Sequence, residues 1–308
     1  KLREKMMLTE TVNMAHLGAR AFEEIGGEVV QTTSFVRCRT HIDGYKGTYC
    51  RLIEPTFQQG KEDMFLSGEN RYFANQDNFA KIPGRPFAYW MSPAVFYDYR
   101  RGTPLGDIAA PRKGNSTSDN NRFLRLWSEV DANKMNLHSD NITAEDSMKK
   151  RWYPYNKGGG YRKWYGFNEY LIDWYDDAAE IRKIKTAVIA NYQYFMKPGL
   201  TWSTVSSKKF SIRWFDKGYI FDNGGCCIFE LGSKRYYLLA LLNSTVFEYI
   251  FGQANPTLNF QSGEVAKFPV VYEPSNEVDT LAEKNVLLSV DEYNSFETSW
   301  DFKRHPLV

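Results

Sequence analysis

The chain lacks the short signatures from which most catalytic chemistry can be read. It has no G-x-x-x-x-G-K-[ST] phosphate loop, no G-x-G-x-x-G, no H-E-x-x-H and no G-x-S-x-G. Cysteine is scarce: Cys38, Cys50, Cys226 and Cys227 form no C-x-x-C pair and have no histidine at zinc-ligand spacing, which argues against a structural zinc. Histidine is equally scarce, and His16, His41, His138 and His305 are scattered as ordinary core or surface residues. No stretch approaches the roughly 20 apolar residues of a membrane span; the longest run, "YYLLALL" (236–242), is far too short. No secretory leader is expected from the opening "KLREK". Together these absences lead us to expect a cytoplasmic protein with reduced, partly buried cysteines and no membrane partner. On motifs alone, a binding unit is expected rather than a complete enzyme.

Strong net charge is also missing. With 39 basic and 37 acidic residues the balance is +2, so any nucleic-acid role must come from local clustering. The 308 residues fit one large domain or two smaller ones. A hydrophobic content of 43% suits a real core. Aromatics are abundant at 16%, and they can fill a core or stack on bases and sugars. The opening "KLREK" without a methionine suggests a segment of a longer protein, although tag removal gives the same start.

Local patterns suggest an order of elements. Residues 1–10 read as a helix end. A strand, a short helix, a Gly26-Gly27 turn and a β-branched strand over 28–38 follow. Another strand should follow the Asp43-Gly44 turn. The polar stretch 56–85 ends in "KIPGRP" and reads as the main border. Ser92 and Pro93 should start a short helix ending near Gly102. "PLGDIAAPRKG" reads as a strand entering a polar loop over 114–121, and "RFLRLWSEV" as a strand. A long strand is expected over 163–174, with a helix from Asp176 whose charges match its dipole. Residues 199–215 and 218–232 should give one strand each, and "SKRYYLLALLNSTVFEYIFGQ" a single helix. No repeat period is present.

Three stretches combine cations with residues suited to nucleic acid. "PRKGNSTSDNNRFLR" joins Arg112, Lys113, Arg122 and Arg125 with Asn115, Ser116, Thr117, Asn120 and Asn121. Cations hold phosphates, while Asn and Arg make bidentate base contacts. A solvated loop is the plain alternative. "KKRWYPYNKGGGYRKWYG" interleaves Lys157, Arg162 and Lys163 with aromatics on a glycine hinge, which suits phosphate contact and stacking. Here the alternative is a core role for the aromatics, expected for Trp164 and Trp174. "STVSSKKFS" sets Lys208 and Lys209 beside serines, as a phosphate-gripping turn or an exposed hairpin.

Certain long phrases are similar to one family. "MAHLGARAFEEIGGEVVQTTSFV" resembles the end of the catalytic domain in adenine-specific DNA methyltransferases of the PglX type, from BREX phage-defence systems. "IPGRPFAYWMSPAV", "RFLRLWSEV" and "GGGYRKWYGFNEYLIDW" resemble the segment that follows, and "LLALLNSTVFEYI…NPTLNFQSGEVAKFPV" resembles the distal half of target-recognition domains more widely. The resemblance implies an α+β fold: terminal strands of a Rossmann-like methyltransferase domain over 1–60, a linker over 61–85, a mixed α/β target-recognition domain over 86–275, and a helical connector over 276–308. It implies adenine-N6 methylation by the parent with S-adenosylmethionine, and double-stranded DNA and the rest of the parent as partners. The family's glycine-rich cofactor motif and Asn-Pro-Pro-aromatic loop would both precede this chain. No catalytic, cofactor-binding or metal residue is therefore assigned within it, and the chain alone is expected to be inactive.

The stretch "QANPTLNF" tests that reading. Asn255-Pro256 superficially matches a methyltransferase catalytic loop, but it follows "GARAF…GGEVV" by more than 200 residues, and Thr257-Leu258 replaces Pro-aromatic. It reads better as the turn leaving the apolar helix, with Thr257, Asn259 and Gln261 available near DNA. Two competing readings remain: a docking surface for other defence components or a phage-encoded DNA mimic, and a carbohydrate-binding module. Aromatics gathered in the core would remove the second.

Overall fold

The computed structural model describes residues 2–22, 24–25, 30–206, 209–255 and 259–308. They form two compact units, 1–101 and 102–308.

The first unit begins with α1 (Leu2–Met6), then β1 (Glu10–Gly18), β2 (Thr32–Cys38) and β3 (Gly47–Arg51). After these come α2 (Gln58–Ser67), β4 (Arg71–Ala74), a 3-10 turn (Gln76–Lys81) and α3 (Pro93–Arg101). The sheet order is β2-β1-β3-β4. β1 runs antiparallel to β2 and parallel to β3, while β4 is antiparallel to β3. Aromatic and thioether side chains close its core: Met14, Tyr49, Phe79 and Tyr89, with the Tyr49 and Tyr89 rings stacked at 4.9 Å. Ser92 accepts from the Val95 amide and starts α3 as the sequence suggests.

Residues 61–85, expected as a linker, are folded into this unit. Their polar side chains read as solvated, yet several serve the sheet's backbone. The buried Lys61 ammonium donates to the Leu17 and Leu52 carbonyls at 2.7 Å each. Buried Gln76 donates to the Thr9 carbonyl and accepts from the Thr11 amide. These bonds satisfy main-chain groups that would otherwise be stranded. The short helix expected before Gly26 is absent among the described residues, where bends occupy 19, 21, 22 and 25 and a turn occupies 24. The Gly26-Gly27 turn and the strand start at Glu28 lie outside the described residues.

The second unit opens with β5 (Thr103–Pro104), α4 (Leu105–Ile108), β6 (Ala110–Arg112), α5 (Asn120–Phe123) and β7 (Leu124–Leu126). α6 (Ala144–Lys149), β8 (Trp152–Asn156), β9 (Tyr170–Asp173) and α7 (Tyr175–Arg182) come next. Then follow β10 (Gly199–Ser203), β11 (Ile212–Phe215), β12 (Ile220–Phe221) and β13 (Gly225–Phe229). The unit finishes with α8 (Arg235–Leu242), α9 (Thr245–Ala254), α10 (Ser262–Val265), β14 (Pro269–Val270) and α11 (Asn276–Tyr293). Two four-stranded sheets, β11-β10-β13-β6 and β12-β8-β9-β7, dominate, with a β14-β5 pair beside them. The core holds Phe123, Tyr153, Tyr155, Trp174, Phe195, Phe221 and Phe229. A second aromatic group joins Trp202, Phe210, Phe247, Phe251 and Phe260. Most of the aromatic excess in this unit is therefore structural, which removes the basis for a sugar-binding platform there.

Sequence expectations for this unit differ from the structure in places, for local reasons. The strand foreseen over 163–174 exists only at Tyr170–Asp173, because Trp164, Gly166 and Phe167 adopt positive φ and fold the chain back on β11. The helix at 176 enters through three left-handed residues, Asp176 to Ala178. The apolar helix splits at Asn243, whose side chain bonds both backbone groups of Ile212, at 3.1 Å and 2.9 Å. Within 276–308, the stretch expected as a helical connector, α11 contacts the rest of the unit: Tyr236 bonds Glu283, and the Tyr293 hydroxyl accepts from the Asn168 amide. Cys226 and Cys227 are both buried and free, as expected of reduced thiols. Among the described residues, no helix is long and apolar enough to cross a membrane.

Candidate nucleic-acid interface

The stretch 112–125 is more ordered than a solvated loop. Asn115 is 2% exposed; its side-chain oxygen accepts from the Ala190 amide, and its backbone bonds Phe221 and Asn223. Ser116 pairs with Val188 through reciprocal backbone bonds. Thr117 is buried and donates to Asn120 at 2.7 Å. Gly114 allows this close packing, since a Cβ there would lie 2.1 Å from the Phe221 carbonyl oxygen. Asn115 and Thr117 thus build the scaffold, and Asn120, Asn121 and Arg122 are left outward on α5.

Asn120 and Asn121 line an open groove of about 410 Å³ with Arg125, Glu129, Lys157 and Tyr170. Asp119 accepts from the Arg122 amide and fixes the start of α5. Arg125 donates to the Asn121 and Leu124 carbonyls, which holds its guanidinium against α5. Arg122 pairs with Glu180 at 2.8 Å and lies over the Phe123 ring. Lys157 donates to buried Asp222 at 3.1 Å. Arg112 stacks over Tyr194 at 5.3 Å, and Lys197 approaches the same ring at 5.4 Å. Exposed Lys113 accepts from Asn191 through its carbonyl. The groove offers amide and guanidinium groups able to read base edges, with cations beside them for phosphates.

The other candidates gather elsewhere in the unit. Arg162 pairs with Glu292 and lies over Tyr293 at 5.1 Å. Lys163 donates to the Asn243 carbonyl at 2.7 Å. Lys209 pairs with Glu248 at 2.7 Å, and that bond raises its pKa. Asn259 is exposed and bridges to Val205. Lys208 and Thr257 lie outside the described residues. Trp174 is fully buried and Trp164 half-buried, in line with core roles.

The glycine-rich loop packs closely against its own chain. In "NKGGGYRK", a Cβ on Gly158 would meet the Gly224 carbonyl oxygen at 2.4 Å, and one on Gly159 would meet the Phe167 ring at 2.8 Å.

One surface was missed in the sequence. In the first unit a cleft of about 510 Å³ is lined by Lys46, Phe73, Lys81, Trp90, Tyr97 and Arg100, among others. Phe73 and Tyr97 are exposed, and Arg100 lies over Tyr97 at 5.2 Å. Such walls can stack on a planar group and hold an anion. The aromatic-basic interleaving of "RYFANQDNFAK" and "VFYDYRR" was the available signal.

Comparison with known proteins gives the lineage. The chain is 38% identical over 326 residues to the adenine-specific methyltransferase PglX of Lacticaseibacillus casei (strain Zhang), covering 100% of this chain and 27% of that protein. It is 39% identical over 303 residues to the adenine-specific methyltransferase BrxX of Escherichia coli O9:H4 (strain HS), covering 96% of this chain and 24% of that protein. The chain thus spans about a quarter of the length of these curated relatives. No protein-family model matches it.

Proposed function

We propose that this chain, related along its length to one segment of PglX-type adenine-specific methyltransferases, is the part that reads the DNA target. The observation that carries the reading is the α5 groove: outward Asn120, Asn121 and Arg125 stand on a scaffold of buried Asn115 and Thr117. Phosphates would be held by Lys113 and neighbouring cations, and base edges would be read by the amides. The parent would methylate adenine N6 with S-adenosylmethionine on a base extruded from the duplex, as part of a BREX-type phage defence. The first unit would then be the last strands of the catalytic sheet. Its edge strand β2 exposes Phe35 and Val36, a surface suited to covering by further chain.

Anisotropy titration of the parent on its methylated motif against scrambled duplex tests this. Tighter, salt-sensitive binding to the motif is expected. Equal binding to both, with methylation unchanged after exchanging residues 102–308, would sink it.

A docking role is the second reading. Exposed Leu281, Leu287 and Leu288 on α11 favour it, because such side chains suit a protein contact. Charge reversal at Lys113, Arg162 and Lys163 should leave that contact intact while abolishing DNA binding.

A further inference from the structure

We propose that His41, Asp43 and Asp77 form a binding site for a divalent transition-metal ion, with Glu10 as the residue that positions His41. Donor atoms of the three ligands all lie within 4.8 Å of one another. His41 Nε2 is 3.2 Å from Asp77 Oδ1. A tetrahedral zinc with bonds of about 2.0–2.1 Å separates its ligand atoms by about 3.3 Å, which the His41–Asp77 pair matches, while separations of up to 4.8 Å elsewhere in the group would shorten on binding.

The second observation is independent of the cluster's composition. Glu10 is 1% exposed, and its Oε2 sits 2.9 Å from His41 Nδ1. The same oxygen accepts from the Ile42 amide, which fixes the carboxylate against the turn bearing His41 and Asp43. Its Oε1 is buried without a hydrogen-bond partner. Gln76 Nε2 also lies 3.4 Å from Nδ1, so Glu10 and Gln76 hold that edge of the ring while Nε2 is turned to Asp77. This is the carboxylate–histidine–metal arrangement that orients ligating histidines.

Charge supports the same assignment. Three carboxylates surround one imidazole, which carries at most a single positive charge. Neighbouring Arg37 is committed to Thr9, Thr11 and the Met6 carbonyl. Imidazole with carboxylates suits zinc or manganese, whereas magnesium and calcium prefer an all-oxygen shell. Three protein ligands leave a fourth position for water. Because the ligands come from the turn before β3 and from the 3-10 turn at Gln76–Lys81, the ion would clamp those two segments together.

The test is zinc titration of the metal-stripped full chain by calorimetry, with thermal melts in zinc and in EDTA. One zinc per chain is expected, with a melting temperature that rises in zinc and falls back in EDTA. Asp43→Asn, at an exposed side chain, and Asp77→Asn should each weaken zinc by roughly 10-fold or more. Glu10→Gln should weaken it by roughly 10–100-fold, circular dichroism reporting retained fold. If Glu10→Gln fails to fold, the two aspartate variants still decide the matter. Absent zinc binding, unchanged affinity in both aspartate variants, or equal competition by magnesium would each overturn the proposal.

Discussion

Lys157 donates to Asp222 at 3.1 Å, and the carboxylate it reaches is 3% exposed. Tyr155 and the Gly224 amide bond the same carboxylate, at 2.9 Å and 2.6 Å. One buried acid thus ties β8, the glycine-rich loop and the turn before β13 together. Removing it leaves a partly buried ammonium and a buried hydroxyl without their acceptor. Asp222→Ala is expected to destabilise the second unit by about 3 kcal/mol, measured by urea denaturation.

The exposed groove residues should behave differently. Asn121→Ala and Arg125→Ala are expected to weaken specific DNA binding by about 1–3 kcal/mol each, with melting temperature nearly unchanged. Lys113→Ala should weaken binding to all sequences alike and reduce the salt slope by about 1. Anisotropy on specific and scrambled duplexes at several salt concentrations separates the two patterns.

Arg213 is 1% exposed, and its Nε and Nη1 have no hydrogen-bond partner. Its guanidinium lies over Phe167 at 4.9 Å, and burial lowers its pKa to about 10. A buried charge with so little compensation costs stability. Arg213→Met is therefore expected to leave stability unchanged or raise it by about 1–3 kcal/mol, read by thermal denaturation.

Buried tyrosines set the alkaline limit. Burial pushes Tyr49 up to about 12, and it raises Tyr155 and Tyr219 well above the usual range. Above pH ~10 the unfolded chain loses these protons while the folded chain keeps them. Their contribution is complete below pH ~10 and is lost as pH rises through the folded values. Arg213 works in the opposite direction, but it is one group against several. Stability should fall steeply above pH ~10, read by chemical denaturation at stepped pH, and a flat profile there would contradict this.

The sequence disclosed what rests on local chemistry and concealed what rests on distant partners. Ser92 as a helix start and the Asp43-Gly44 turn were legible because their residues act on near neighbours. The folding of 61–85 was not, since Lys61 and Gln76 look like solvent-facing residues until the carbonyls of Leu17, Leu52 and Thr9 are beside them. The split at Asn243 has the same origin, a side chain bonded to Ile212 some thirty residues away. In the candidate interface the right stretch was identified, but its division was hidden. Asn115 and Asn121 are identical in sequence terms, and only packing sends one inward and the other outward.

The most direct test is modification-sensitive sequencing of DNA from cells whose methyltransferase carries residues 102–308 either from this chain or from a relative with a different motif. The account predicts that the methylated sequence changes with the exchanged segment. A motif that stays the same while methylation persists would contradict it.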